Sequence, residues 1–243
     1  MDRKLTKWIV FIAIAYVFSG TVFSQIQENQ PEPVSIQPAK RNTPPSDAII
    51  LFDGNDLNKF TGVKENTPVL WEKRGSRFTV VPNTGNIQSK QYFSDIQLHI
   101  EFKIPRSARK KEGQKSGNSG IYLMGKYEIQ VLNGYKNETS PYGQAGAIYG
   151  QYPPLINASF KPGEWQEYDI IFMAPKYNEN GELETPPYLT VFHNDILIHN
   201  NVEVKGPTAA HNSDLPDNSE SGPLMLQDHK NKVSYRNIWI REL

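Results

Sequence analysis

An all-β fold, an antiparallel β-sandwich or jelly roll, is what this sequence predicts, on three observations. Apolar residues recur at every second position in most periodic segments, turn-forming pairs separate those segments, and no window carries a long apolar repeat at helical spacing. Taken in order, strands are expected at 48–52, closed by Asp53-Gly54, and at 77–81. The clearest is 96–104, where Ile96, Leu98, Ile100, Phe102 and Ile104 alternate with Gln97, His99, Glu101 and Lys103, giving one dry and one wet face. Residues 117–132 (GNSGIYLMGKYEIQVL) read as a glycine-rich bend with two short strands, the second at 127–132. Asn133-Gly134 follows it, and the pairs Pro153-Pro154, Asn180-Gly181 and Pro186-Pro187 mark later turns. Further strands are expected at 167–173, 188–192, 196–199, 223–227 and 235–242, with His193-Asn194-Asp195 closing a hairpin between the third- and fourth-last of the series. No fixed-period repeat suggests a propeller or solenoid.

The ends and the composition narrow the function. Arg3, Lys4 and Lys7 precede an apolar run from Trp8 to Phe18, and Ser19, Gly20 and Ser24 follow, the pattern of a secretory signal peptide over 1–24. An uncleaved anchor is the competing reading, since 8–23 is uncharged and nearly long enough to span a bilayer. Cleavage predicts a periplasmic or secreted protein with no stable membrane anchor. Residues 25–46, rich in Gln, Glu, Asn and Pro, read as a flexible linker, leaving 47–243 as one domain. Basic and acidic residues balance at 26 each, which argues against a nucleic-acid partner. The chain has no cysteine, which excludes disulfides and thiolate metal sites, so stability must come from an apolar core.

Alternation puts Glu128 and Gln130 on one face of their strand and Tyr127, Ile129 and Val131 on the other. With the second set in the core, Glu128 is expected to project outward into a groove suited to sugar. Conventional glycosidases set two carboxylates about the scissile bond. Here the alternate positions read Glu128, Gln130, Leu132, and the second acid is missing. A second polar cluster is Gln227, Asp228 and His229, with His229 as a titrating group and Asp228 as its orienter. Tyr142, Tyr149 and Trp165 are candidate sugar platforms, although such residues also pack loops and satisfy turns. No metal site and no cofactor are expected: the five histidines show no ligand spacing, and Asp214-Asp217-Glu220 reads as a solvated acidic loop.

These motifs together resemble the 3-keto-disaccharide hydrolase domain family. The likeness runs from LFDG at 51–54 through GNSGIYL and YEIQVL, GAIYG at 146–150 and GEWQEYDIIFMAP at 163–175. It continues in TVFHND at 190–195, GPT at 206–208, GPLMLQDH at 222–229 and RNIWIREL at 236–243. The resemblance implies a concanavalin-like jelly roll that cleaves glycosides already oxidised to a ketone at carbon 3, with a sugar 3-dehydrogenase as working partner. Such a ketone acidifies the hydrogen at carbon 2, so one general base suffices for elimination, and water can then add back. Glu128 or His229 is expected as base or acid, with Asp228 orienting His229. Asn118, Tyr122, Lys126, Gln130, Tyr149, Trp165 and Gln227 are expected to bind the oxidised mono- or disaccharide. Family members often carry arginine at the position of Lys126, and the basic stretch 106–115 is expected to reshape the groove's rim. A non-catalytic carbohydrate-binding module is the alternative, and an ordinary β-glycosidase a third reading.

Overall fold

The computed structural model describes residues 34–38, 43–64, 67–208 and 218–243. The chain divides into Met1–Gln37 and Pro38–Leu243, and every element below belongs to the second unit. The expected signal peptide, most of the expected linker, and His211, Asp214 and Asp217 lie outside the described residues.

Fifteen strands follow in order: β1 (Ile49–Phe52), β2 (Phe60–Gly62), β3 (Glu72–Arg74), β4 (Arg77–Thr79), β5 (Ile87–Phe93), β6 (Ile96–Lys103), β7 (Ser119–Leu123) and β8 (Tyr127–Val131). The rest are β9 (Trp165–Met173), β10 (Lys176–Tyr177), β11 (Leu183–Thr185), β12 (Tyr188–His193), β13 (Ile196–Glu203), β14 (Gly222–Leu226) and β15 (Ser234–Glu242). Among the described residues there is no α-helix, only short 3-10 turns at Arg106–Lys110, Gly113–Lys115 and Pro141–Gly143. An eight-stranded sheet has the order β13-β12-β9-β6-β15-β4-β3, with β1 also on β15. A five-stranded sheet has the order β2-β5-β14-β7-β8. All of their pairings are antiparallel, as the alternation predicts.

The two sheets close over one apolar core. Leu98, Ile100 and Phe102 of β6, Ile170 and Phe172 of β9, and Ile238 and Ile240 of β15 meet Ile121, Ile129, Val131, Leu224 and Leu226 of the smaller sheet. Tyr127 touches Phe172 across the gap, ring centroids 5.6 Å apart. Each fully buried side chain of this size contributes about 1.5–3 kcal/mol, which lets a domain without disulfides hold together.

Two strands that alternation did not reveal, β5 and β3, escaped it for different reasons. In β5 the inward position 89 is a serine, whose Oγ donates to Gln91 O and accepts from Leu224 N, so the apolar rhythm is broken. β3 is exposed throughout and has no dry face to read.

One feature of β8 sets up the site. Its free edge is not open: Gln130 N donates to Ala147 O, Gly146 N to Gln130 O, Tyr149 N to Glu128 O, and Glu128 N to Thr208 Oγ1. The loop after β8 and the segment at Thr208 thereby satisfy the edge that would otherwise be unpaired.

Candidate active site

The hairpin β7–β8 turns through Met124 and Gly125, both at positive φ, and its register pairs Tyr122 with Glu128 and Gly120 with Gln130. β14 lies on the other side of β7, pairing Met225 with Tyr122, while Gln227 N donates to Gly120 O at 3.0 Å. Because alternate residues share a face, Glu128, Tyr122, Gln130 and Gln227 surround Gly120 on the outer face of the smaller sheet. The glycine is required there: a β-carbon would collide with Glu128 Oε1 and with a ring carbon of Tyr122. Gly120 is thus the floor over which the carboxyl lies.

Glu128 is not the solvent-facing carboxylate expected from alternation; it is only 3 % exposed. The cover that alternation could not reveal comes from the loop after β8. Burial pushes the Glu128 carboxyl up to about 7, against the hydrogen bond from Tyr122, which pulls it down. No charge among the described residues contributes to the shift. Tyr122 is raised far above the ordinary phenol range, by burial first and then by Glu128 and Tyr149, so it stays protonated and donates to Glu128. Its oxygen accepts from Gln227 Nε2 at 2.9 Å. Tyr149 is half-buried beside this group.

The amides do different work from that expected. Asn118 Nδ2 donates to Gln114 O and Gln114 Oε1, and Gln130 Nε2 donates to Gln114 Oε1 at 2.9 Å and to Gly143 O at 3.4 Å. Their donors are therefore committed to Gln114, a residue the sequence reading passed over, and are not available to a ketone. The oxygens differ: Gln130 Oε1 and Gln227 Oε1 are both buried and accept no hydrogen bond among the described residues. The site offers a carboxyl, a phenol and two unpartnered amide acceptors, which suits a ligand rich in hydroxyl donors.

Four expected residues stand elsewhere. Asp228 does not orient His229. Its carboxylate accepts from the backbone N–H groups of Thr84, Gly85 and Lys230, which makes it the clasp of a loop. His229 is exposed and lines a basic cavity with Lys110, Lys111, Lys115 and Lys230 rather than meeting Glu128. Trp165 belongs to the other sheet, where Lys103 Nζ lies 4.5 Å and the Arg236 guanidinium 4.2 Å from its ring centroid. It cannot serve as a platform beside Glu128. Lys126 is buried in the β7–β8 connection, next to a cavity of about 650 Å³ that Tyr127, Tyr177 and Pro207 also line.

A second polar cluster covers the outer face of the larger sheet, in a cavity of about 740 Å³. Cross-strand register sets His99 between Asp169 and Trp239, and Glu101 between Glu167 and Arg236. His99 Nδ1 and Asp169 Oδ1 are 2.8 Å apart, and Arg236 Nε donates to Glu101 Oε2 at 2.6 Å. Asn237, at positive φ in a bulge of β15, donates to Glu101 Oε1 at 2.9 Å and lies 3.2 Å from His99 Nε2. Donor atoms of His99, Glu101 and Glu167 lie within 4.8 Å of one another, a spacing compatible with a cation that no sequence motif announced. In this structure an arginine and an asparagine already engage Glu101 and His99 pairs with Asp169, which leaves Glu167 outside the ion pairs among the described residues.

Against known proteins, the sequence matches the 3-keto-alpha-glucoside-1,2-lyase-like domain over residues 47–241. No curated protein matches it. Among solved structures, one from Parabacteroides distasonis ATCC 8503, provisionally named a glycosyl hydrolase, is 43 % identical with a TM-score of 0.81, covering 88 % of this chain and 93 % of its own. Two more from the same organism, named in the same way, share the fold at 18 % and 20 % identity. Their TM-scores are 0.60 and 0.55; each match covers 81 % of this chain, and 94 % and 99 % of theirs.

Proposed function

The chain belongs to the 3-keto-alpha-glucoside-1,2-lyase-like domain family and is carbohydrate-active, and from that premise we propose that it cleaves 3-keto-glycosides with Glu128 as the general base. The observation that carries this reading is the isolation of Glu128. It is a buried carboxyl, raised to about 7, bonded to a phenol, with no second carboxylate among the described residues of its cluster. Acid-and-nucleophile hydrolysis needs two carboxyl groups about the glycosidic bond. Proton abstraction beside a ketone needs one base whose proton affinity is matched to neutral pH.

In this mechanism the reacting ring lies over Gly120, with hydroxyls donating to Gln130 Oε1 and Gln227 Oε1. Glu128 takes the proton from carbon 2, and the electron pair delocalises onto the carbon-3 ketone. The enolate then re-forms the carbonyl and expels the glycosidic oxygen from carbon 1, leaving a carbon 1–carbon 2 double bond. Tyr122 protonates the departing oxygen and regains its proton from the Glu128 carboxyl, so the catalyst is restored. Addition of water at carbon 1 completes net hydrolysis. Tyr122 fits the acid's role because it is held protonated and already hydrogen-bonded to Glu128. In the same reading the enzyme works outside the cytoplasm, after a sugar 3-dehydrogenase has supplied the ketone.

The test is incubation with a 3-keto-glucoside and its unoxidised parent, with products identified by mass. Turnover of the keto form alone is expected, and Glu128→Gln should lower kcat by about 10²–10⁴-fold at unchanged fold. Full activity in that variant would sink the assignment. Binding of sugars without any product would restore the carbohydrate-binding alternative, and hydrolysis of the parent glucoside the conventional one.

A further inference from the structure

The basic stretch 106–115 is not used by this mechanism, yet it is assembled with care. Ala108 is buried and anchors the first 3-10 turn, Lys111 N donates to Ala108 O, and Arg109 Nη2 donates to Pro162 O at 3.0 Å. The second turn is tied down by Asn137, whose Oδ1 accepts from Gly113 N at 2.7 Å and whose Nδ2 donates to Gly113 O. Opposite it stands the loop clasped by Asp228. Lys230 sits at φ +61° there, with its N–H on Asp228 Oδ1, and Asn231 Nδ2 donates to His229 O. Between the two segments is a cavity of about 420 Å³ lined by Lys110, Lys111, Lys115, Lys230 and His229, with Glu112 as the sole carboxylate.

Two facts make this more than a solvated surface. The chain as a whole has no net charge, yet four lysines line this one cavity against one acid, and no ion pair among the described residues neutralises any of them. The cavity also borders the Glu128 cluster through a shared residue: Gln114 lines it, and Gln114 Oε1 accepts from Gln130 Nε2. A glycoside whose reacting ring lies over Gly120 therefore reaches the lysines with the part that extends past Gln130.

We propose that this cavity is a subsite for an anionic group on the substrate, a carboxylate such as that of a uronic acid or a sulfate or phosphate ester. The inference rests on the reading that puts the reacting sugar over Gly120. Ammonium groups on long, exposed stems suit such an anion as convergent point charges, without the fixed fork of an arginine. They act at short range, because salt screens exposed charges beyond about 8 Å at physiological ionic strength.

The test uses full-length protein and four 3-keto-glucosides that differ in the aglycone alone: glucuronic acid, its neutral methyl ester, glucose 6-sulfate and glucose 6-phosphate. The acid or one of the esters is expected to exceed the methyl ester at least tenfold in kcat/KM. That preference should shrink toward unity in 0.5 M salt, by screening, and in the variant Lys111→Gln/Lys115→Gln/Lys230→Gln. Which arm leads identifies the anion. Calorimetric binding to Glu128→Gln protein gives the same comparison without turnover. Equal binding and equal turnover of charged and neutral forms would overturn the anionic subsite while leaving the keto-glycoside reading intact. Selective binding of a charged form with no turnover of any would support the subsite and defeat the reading of the reaction.

Discussion

The two outer faces of the sandwich hold carboxylates under opposite conditions. On the larger sheet, Glu101, Glu167 and Asp169 crowd around His99 and Arg236 in a cavity of about 740 Å³, where His99 pairs with Asp169 and Arg236 with Glu101. On the smaller sheet, Glu128 has no ionic partner among the described residues; burial raises its proton affinity and the bond from a phenol lowers it. The His99 imidazole shows the contrast. Burial pulls its pKa down, but Asp169, Glu167 and Glu101 override it and leave the value raised. Within the dense cluster the paired ions stabilise each other, while burial and the neighbouring carboxylates raise Glu167; the isolated, buried Glu128 carboxyl sits poised near neutrality.

The sharpest way to break the comparison is Gly120→Ala, which adds only a methyl group. It should displace both Glu128 and Tyr122 and lower kcat/KM by roughly 10²-fold, in line with the cost of ångström-scale misplacement, with the far-ultraviolet circular dichroism unchanged. Wild-type activity in that variant would mean the reaction does not use the floor of this face.

The pH dependence is the next largest effect. A base at about 7 must be deprotonated to act, so kcat/KM should fall about tenfold per pH unit below 7. Stability carries the opposite sign. The folded Glu128 holds its proton more tightly than the ordinary 4.5, so its stabilising contribution is complete below about 4.5 and is lost as pH rises through 7. That loss is at most about 3 kcal/mol. Urea melts at pH 5 and pH 8 should show wild type weakening relative to Glu128→Gln; parallel behaviour of the two proteins would remove Glu128 as the titrating group.

The smallest effect on catalysis tests the other face. His99→Ala strips a partner from Asp169 and a stacked ring from Trp239, whose centroid lies 5.2 Å away. It should cost about 1–3 kcal/mol of stability while leaving kcat/KM within about twofold. A tenfold loss of turnover in a folded variant would move the reaction to the larger sheet.

Much of this site could be read along the chain. Glu128 and Gln130 share a face by parity, and Tyr122 and Gly120 lie symmetrically across the turn at Met124 and Gly125, so their pairing with Glu128 and Gln130 was legible in principle. Trp165 and Asp228 misled because an aromatic ring or a carboxylate near a motif carries no sign of which sheet or loop it serves. Trp165 is paired with Lys103 of β6, 62 positions earlier, and Asp228 with the backbone at Thr84 and Gly85. The cluster of His99, Glu101, Glu167 and Asp169 likewise exists only through the register of β6 against β9.

By itself the sequence determined the all-β class, the strands with strong alternation and the residues that share each face, because side-chain parity is a local property of an extended chain. The tertiary structure alone decided whether a face is wet or dry. Tyr149, in the loop after β8, and Thr208, 80 positions beyond Glu128, bond to its backbone, and Gln114 ties Gln130 beside it. Burial is a property of what packs above a residue, and it is burial that turns an ordinary glutamate into a carboxyl poised near pH 7.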